Sequence, residues 1–105
     1  MRVQFLCAAA LAIAAAGCSY DVATVDCNLA LTSTETAICG SSKLRRLDRD
    51  LTKLYQVALS ISGDDEPNLR AEQAVWVRSR DACGSDEACI AARYRERLNL
   101  LADYD

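Results

Sequence analysis

Six cysteines and no histidine set the chemistry open to this 105-residue chain. A cysteine can attack as a thiolate, hold a metal, carry a lipid or close a disulfide. Without histidine the commonest general base is absent, and so are the Ser-His-Asp and Cys-His arrangements. Zinc sites bring Cys or His together in close pairs such as CxxC. Cys7, Cys18, Cys27, Cys39, Cys83 and Cys89 contain no such pair. Asp and Glu number 15, and two facing carboxylates can hydrolyse a glycosidic bond. A domain this small leaves little room for a saccharide cleft, and it has no glycine-rich phosphate loop. The residue types therefore favour a non-enzyme with no metal, no cofactor and no small-molecule substrate.

The cysteines are better explained by export. Met1-Arg2-Val3-Gln4 carries one positive charge, and Phe5 through Ala16 is apolar and uncharged. That run is too short for a membrane span, which needs about 20 apolar residues, and suits a signal peptide over residues 1–17. A buried N-terminal helix is the competing reading, but no polar residue interrupts the run to give it an outer face. Ala15-Ala16-Gly17-Cys18 is similar to a bacterial lipobox, with Ala15 where Leu is usual. There a cysteine is lipidated and becomes the first residue of the mature chain. Ordinary cleavage among Ala14, Ala15 and Ala16 remains the rival.

Removing Cys7 with the signal leaves an odd number of cysteines, which needs an explanation in an exported protein. A lipid on Cys18 supplies it, because Cys27, Cys39, Cys83 and Cys89 can then form two disulfides. Disulfides persist outside the cytoplasm, so the two expectations support each other. Three connectivities are open. The local pairs Cys27–Cys39 and Cys83–Cys89 close short loops and are the favoured ones.

Residues 18–31 show no periodicity and read as a lipidated tether, followed by a helical domain over 32–105. Thr32-Ser33-Thr34-Glu35 spells a capping box, predicting a short helix from Ser33 to Cys39 that ends at Gly40. Ser41 or Ser42 caps a longer helix whose seam is Leu44, Leu47, Leu51, Leu54, Ala58 and Ile61. Ser62 to Pro67 is a loop, with Pro67 suited to the first turn of the next helix. That third helix, to about Ala82, aligns Leu69, Gln73, Trp76, Arg80 and Cys83, with Ala71, Val75 and Val77 flanking them. Gly84 breaks it, and Ser85 or Asp86 caps a fourth helix carrying Ile90, Tyr94, Arg97, Leu98 and Leu101 on one side. No strand alternation occurs. The expected fold is all-α: a small bundle of three main helices plus one short N-terminal helix, stabilised by two disulfides.

These motifs resemble the N-terminal domain of the LprI-like lysozyme inhibitor family. The similarity runs through Asp26-Cys27, then Thr34-Glu35-x-x-Ile38-Cys39, then Leu44-x-x-Leu47-Asp48-x-x-Leu51-x-x-x-Tyr55. It continues in Leu69-x-x-x-Gln73-x-x-Trp76-x-x-x-Arg80-Asp81-x-Cys83 and Cys89-x-x-x-x-Tyr94-x-x-Arg97-Leu98. It covers the chain from Asp26 to Leu101. Ala30 stands at the outer limit of where the family places an alanine after its first cysteine. The resemblance implies an envelope or secreted protein, often a lipoprotein, and a possible lysozyme partner.

Most motif residues have structural explanations. Glu35 is a capping residue. Trp76 and Tyr94 belong to the core, with their polar tips seeking partners. Asp48 is expected to pair with Arg80 or Arg97 at the edge of the core, with Tyr55 and Gln73 completing the hydrogen bonds, because a buried charge needs a partner. Asp81 joins them only as a motif position.

Two functions follow. The first is an exported, membrane-anchored protein that binds and inhibits lysozyme and so protects the cell wall. The second is an envelope adaptor that binds another periplasmic or surface protein. The net charge is −3, one unit more negative once Arg2 is lost, which argues against nucleic acid. Asp64-Asp65-Glu66 is the acidic cluster best placed to meet a basic protein, and a solvated turn explains it equally well.

Overall fold

The structure, a computed structural model, describes residues 24–30 and 32–104. The signal segment 1–17 and the lipidation site Cys18 lie outside the described residues. The chain forms α1 (Ser33–Cys39), α2 (Ser42–Ile61), a 3-10 turn (Gly63–Asp65), α3 (Glu66–Asp81) and α4 (Glu87–Ala102). Among the described residues there is no strand, and no helix is long and apolar enough to cross a membrane.

Each helix starts at a side chain that satisfies an orphan backbone N–H or at a residue suited to a first turn. Thr32 accepts from the Glu35 N–H while Glu35 accepts from the Thr32 N–H, completing the capping box. Ser41 caps α2 and Asp86 caps α4. Pro67 sits in the first turn of α3, where its missing N–H costs nothing. Gly63 and Gly84 have φ of 56° and 58°, the left-handed region glycine enters without a Cβ penalty. They turn the chain between α2 and α3 and between α3 and α4. Gly40 ends α1 without using that freedom, since its φ is −85°.

α4 packs against both α2 and α3, and α1 touches all three. The core joins Leu44, Leu51, Tyr55 and Ala58 of α2 to Leu69 and Trp76 of α3 and to Ile90, Tyr94 and Leu101 of α4, with Ile38 of α1. The α2 seam therefore differs from the leucine line expected. Its fully buried row is Leu44, Asp48, Leu51, Tyr55 and Ala58, whereas Leu47 and Leu54 are half-buried and Ile61 is 53% exposed. Both rows have helical spacing, but the helix is rotated to bring Asp48 and Tyr55 inward and leave Ile61 in water. Val75 of α3 is likewise exposed, at 56%.

The disulfides are Cys27–Cys39 and Cys83–Cys89, as the short loops favoured. They cluster with α1 at one end of the bundle. The Thr34 hydroxyl, fully buried, lies 3.1 Å from the Asp81 carbonyl and 2.6 Å from the Gly84 carbonyl, fastening α1 to the turn that Cys83–Cys89 closes. Thr24 and Val25, ahead of α1, are also tied down. The Val25 N–H donates to Asp48, the Thr24 hydroxyl bonds to that of Thr52, and Val25 packs on the core.

Candidate functional site

Two polar clusters stand out, one inside the bundle and one on its surface. The inner cluster is built on three helices. Asp48 of α2 accepts from the Tyr94 hydroxyl of α4 at 2.8 Å through one oxygen and from the Val25 N–H at 2.8 Å through the other. Arg80 of α3 donates to the same Tyr94 oxygen at 3.4 Å, and its Nε and Nη2 reach Asp81 at 3.0 and 2.8 Å. Tyr94 thus links Asp48 to Arg80, the partnership expected from sequence being routed through a phenol. Asp48 is 3% exposed and lies on the central row of α2, not at the edge of the core.

Aromatic contacts complete this cluster. The Arg80 guanidinium carbon lies 5.6 Å from the Trp76 ring centroid, within cation–π range. Trp76 meets Tyr94 edge to face at 5.0 Å, and its indole N–H donates to the Arg93 carbonyl at 3.0 Å. Arg97, expected as the other candidate partner of Asp48, donates instead to Gln73 Oε1 at 2.8 Å. Gln73 Nε2 and Arg97 Nη2 are buried and have no hydrogen-bond partner among the described residues. Tyr55 lies near enough to Arg97 to act on its charge, as does Glu72.

The electrostatics make the cluster a scaffold. Burial first, and then the charge of Asp48, push the Tyr94 phenol far above its ordinary value of 10.0, so it stays protonated and donates. Burial acts to lower the Arg80 pKa, but Tyr94 and Asp81 beside it win and the net shift is upward. Burial lowers the Arg97 pKa, opposed by Glu72 and Tyr55. The Asp48 oxygens are already held by internal donors, so this set offers no activated nucleophile. Among the described residues no three His, Cys, Asp or Glu side chains converge as a metal cage.

The outer cluster forms the corner between α2 and α3, at the end of α3 opposite the disulfide-closed turn. Asp64 and Asp65 lie in the 3-10 turn, Glu66 opens α3, and Glu72 extends the acidic surface along that helix. Asp65 accepts from Asn68 at 3.0 Å and from the Tyr104 hydroxyl at 2.9 Å, which joins the chain after α4 to the start of α3. Those two hydrogen bonds hold the Asp65 carboxyl below its usual 3.8. Glu66 is partly neutralised by Arg70 at 2.8 Å. Beside them an open groove of about 400 Å³ is lined by Asp65, Asn68, Ala71, Glu72 and Val75. Acid, amide and apolar groups thus share one solvent-facing surface. The sequence pointed to Asp64-Asp65-Glu66 but not to Glu72, Val75 or Tyr104. Glu72 and Val75 follow Asp65 and Asn68 at spacings of 3 or 4, a helical row that becomes visible only when the core face of α3 is known.

The family model described as lysozyme inhibitor LprI matches residues 27–101. The chain belongs to the LprI family. Proteins named lipoprotein LprI in Mycobacterium tuberculosis and Mycobacterium bovis are each 33% identical to it over 85 residues. That alignment covers 78% of this chain and 42% of either relative, so the chain spans less than half of their length. No solved structure matches. The LprI match runs from the first cysteine of the Cys27–Cys39 disulfide to Leu101 in the last turn of α4, and takes in every residue of the inner cluster except Val25.

Proposed function

We propose that this member of the LprI family is an exported envelope lipoprotein, anchored through Cys18, that binds and inhibits lysozyme. The observation that carries the reading is the match of a lysozyme inhibitor family over nearly the whole helical domain. The acidic corner supports it physically. Lysozyme cuts glycan with a pair of carboxylates in a cleft, and the common animal enzymes are strongly basic. An acidic module held at the cell surface would meet such an enzyme with complementary charge, which accelerates association more than it deepens affinity. Asp64, Asp65 and Glu72, with the exposed Val75 beside them, supply both charge and apolar contact. The family description is that of an inhibitor, which supports action by binding.

The test is inhibition of a basic animal lysozyme acting on bacterial cell walls, with the oxidised protein and a reduced, alkylated control. Dose-dependent inhibition that disappears on reduction is the expected result. A folded protein that leaves lysozyme activity unchanged would overturn the proposal and favour an envelope adaptor.

A further inference from the structure

The basic residues are distributed unevenly. Five of the chain's 12 Lys and Arg, namely Lys43, Arg45, Arg46, Arg49 and Lys53, fall within residues 43–53 of α2. All five are exposed, and Asp50 is the single exposed carboxylate among them. The arginines of α3 and α4 often have acidic neighbours: Arg70 meets Glu66, Arg80 meets Asp81 and Arg93 meets Glu96. None of the five α2 cations makes an ion pair with a described residue. Arg45, Arg49 and Lys53 follow one another at intervals of four and so form a row on the helix surface. A positive face left uncompensated on an acidic protein calls for an anionic surface.

Chain connectivity indicates which surface. The Val25 N–H is held by Asp48 and the Thr24 hydroxyl by Thr52, one turn beyond Arg49. Six peptide units separate Cys18 from Thr24 and reach at most about 20 Å when fully extended. A lipid on Cys18 would therefore keep the middle of α2, where Arg49 and Lys53 flank Thr52, within reach of the headgroups. The acidic corner begins beyond Ile61, about 18 Å along the helix from Arg49.

We propose that the basic face of α2, centred on Arg45, Arg46, Arg49 and Lys53, docks on anionic phospholipid headgroups and orients the domain on its membrane. The inference rests on the anchor assigned to Cys18, and its chemistry is that of one lipid signal combined with a polybasic patch. Each Lys or Arg brought to an anionic surface raises partitioning by about fivefold.

The experiment exploits the fact that Lys43 and Lys53 are the only lysines of the chain, and both lie in this segment. The protein, as processed by the cell that exports it, is mixed with vesicles of phosphatidylcholine alone or with added phosphatidylglycerol. Vesicle retention and the rate of amine acylation at each lysine are measured. The mass of the N-terminal peptide reports separately whether Cys18 carries lipid, so failure of the anchor reading is distinguished from failure of docking. For lipidated protein, both lysines should react severalfold more slowly on the phosphatidylglycerol vesicles. High salt should abolish that protection, and so should the double variant Arg46→Gln, Arg49→Gln, which removes two unpaired surface charges. Protein without lipid should sediment with the anionic vesicles only. Equal lysine reactivity on both vesicle types, or unlipidated protein that binds neither, would overturn the proposal. Protection by an isolated cell-wall polyanion but not by vesicles would overturn it too, by assigning the face to that polymer.

Discussion

The inner cluster around Asp48 and the outer corner around Asp65 contain the same parts: a carboxylate, a tyrosine hydroxyl donating to it and an amide or basic neighbour. Asp48 and Tyr94 are 2.8 Å apart, and Asp65 and Tyr104 are 2.9 Å apart. They differ in their access to water. Asp48 is 3% exposed and Tyr94 fully buried, while Asp65 is open to solvent. Removing one partner inside leaves desolvated groups with nothing to bond, whereas water replaces a lost partner outside. The same hydrogen bond therefore holds the fold together in one place and leaves a surface free to bind in the other.

The largest expected effect is that of Asp48→Ala. It strands the Tyr94 hydroxyl and the Val25 N–H, while Arg80 keeps its pairing with Asp81. Breaking a buried charged network of this kind costs about 3–5 kcal/mol, to be read from the urea unfolding midpoint. A midpoint close to that of the unaltered protein would show that the inner cluster is not what holds the helices in place. Next comes loss of the disulfides. Their short loops predict about 2–3 kcal/mol for each, measured as the fall in unfolding free energy of the Cys83→Ser, Cys89→Ser protein. Retention of full stability in that variant would show that the Thr34 contacts to Asp81 and Gly84 suffice to hold the turn.

Tyr94→Phe should follow at about 1–3 kcal/mol, because the ring keeps its place against Trp76 but Asp48 loses a donor. This variant also sharpens the pH comparison. The folded pKa of Tyr94 lies above its unfolded value of 10.0, so its contribution is complete below pH 10.0 and declines as the pH rises further. The parent should lose stability above pH 10.0, followed through tyrosinate absorbance. Tyr94→Phe should lose less over the same interval. Equal losses would place the alkaline sensitivity at another tyrosine.

The smallest effect on stability belongs to the outer corner. Asp64→Asn, Asp65→Asn and Glu72→Gln together should lower the unfolding midpoint only slightly, because the bonds from Asn68 and Tyr104 to Asp65 are open to water. They should slow association with basic lysozyme and flatten its salt dependence, as followed by stopped-flow or surface binding kinetics. Lysozyme association that kept its rate and salt dependence would move the contact away from this corner.

Local signals were sufficient for the elements. The capping box at Thr32, Pro67 and the two turn glycines depend only on neighbours within a few residues and act where the sequence placed them, while the caps at Ser41 and Asp86 are each one of the two adjacent residues the sequence offered. The disulfide pairing was legible for the same reason, since both bridges close short loops. The rotation of α2 was not. Leu47, Leu54 and Ile61 are more apolar than Asp48 and Tyr55, so periodicity alone put the leucines inside. What turned the helix was the chance for Asp48 to meet Tyr94, 46 residues away, and the Val25 N–H, 23 residues away.

The same limit applies to the surface. The acidic run Asp64-Asp65-Glu66 and the basic run Lys43 to Lys53 are both visible in the sequence. That Tyr104 closes on Asp65, that Glu72 and Val75 join the acidic corner, and that Thr24 and Val25 are held against α2 depend on helix packing. The sequence by itself determined where helices begin and end and which cysteines could pair, because those are short-range interactions along the chain. Tertiary structure alone decided which carboxylate became scaffold and which stayed at the surface, because burial is set by contacts between residues distant in sequence.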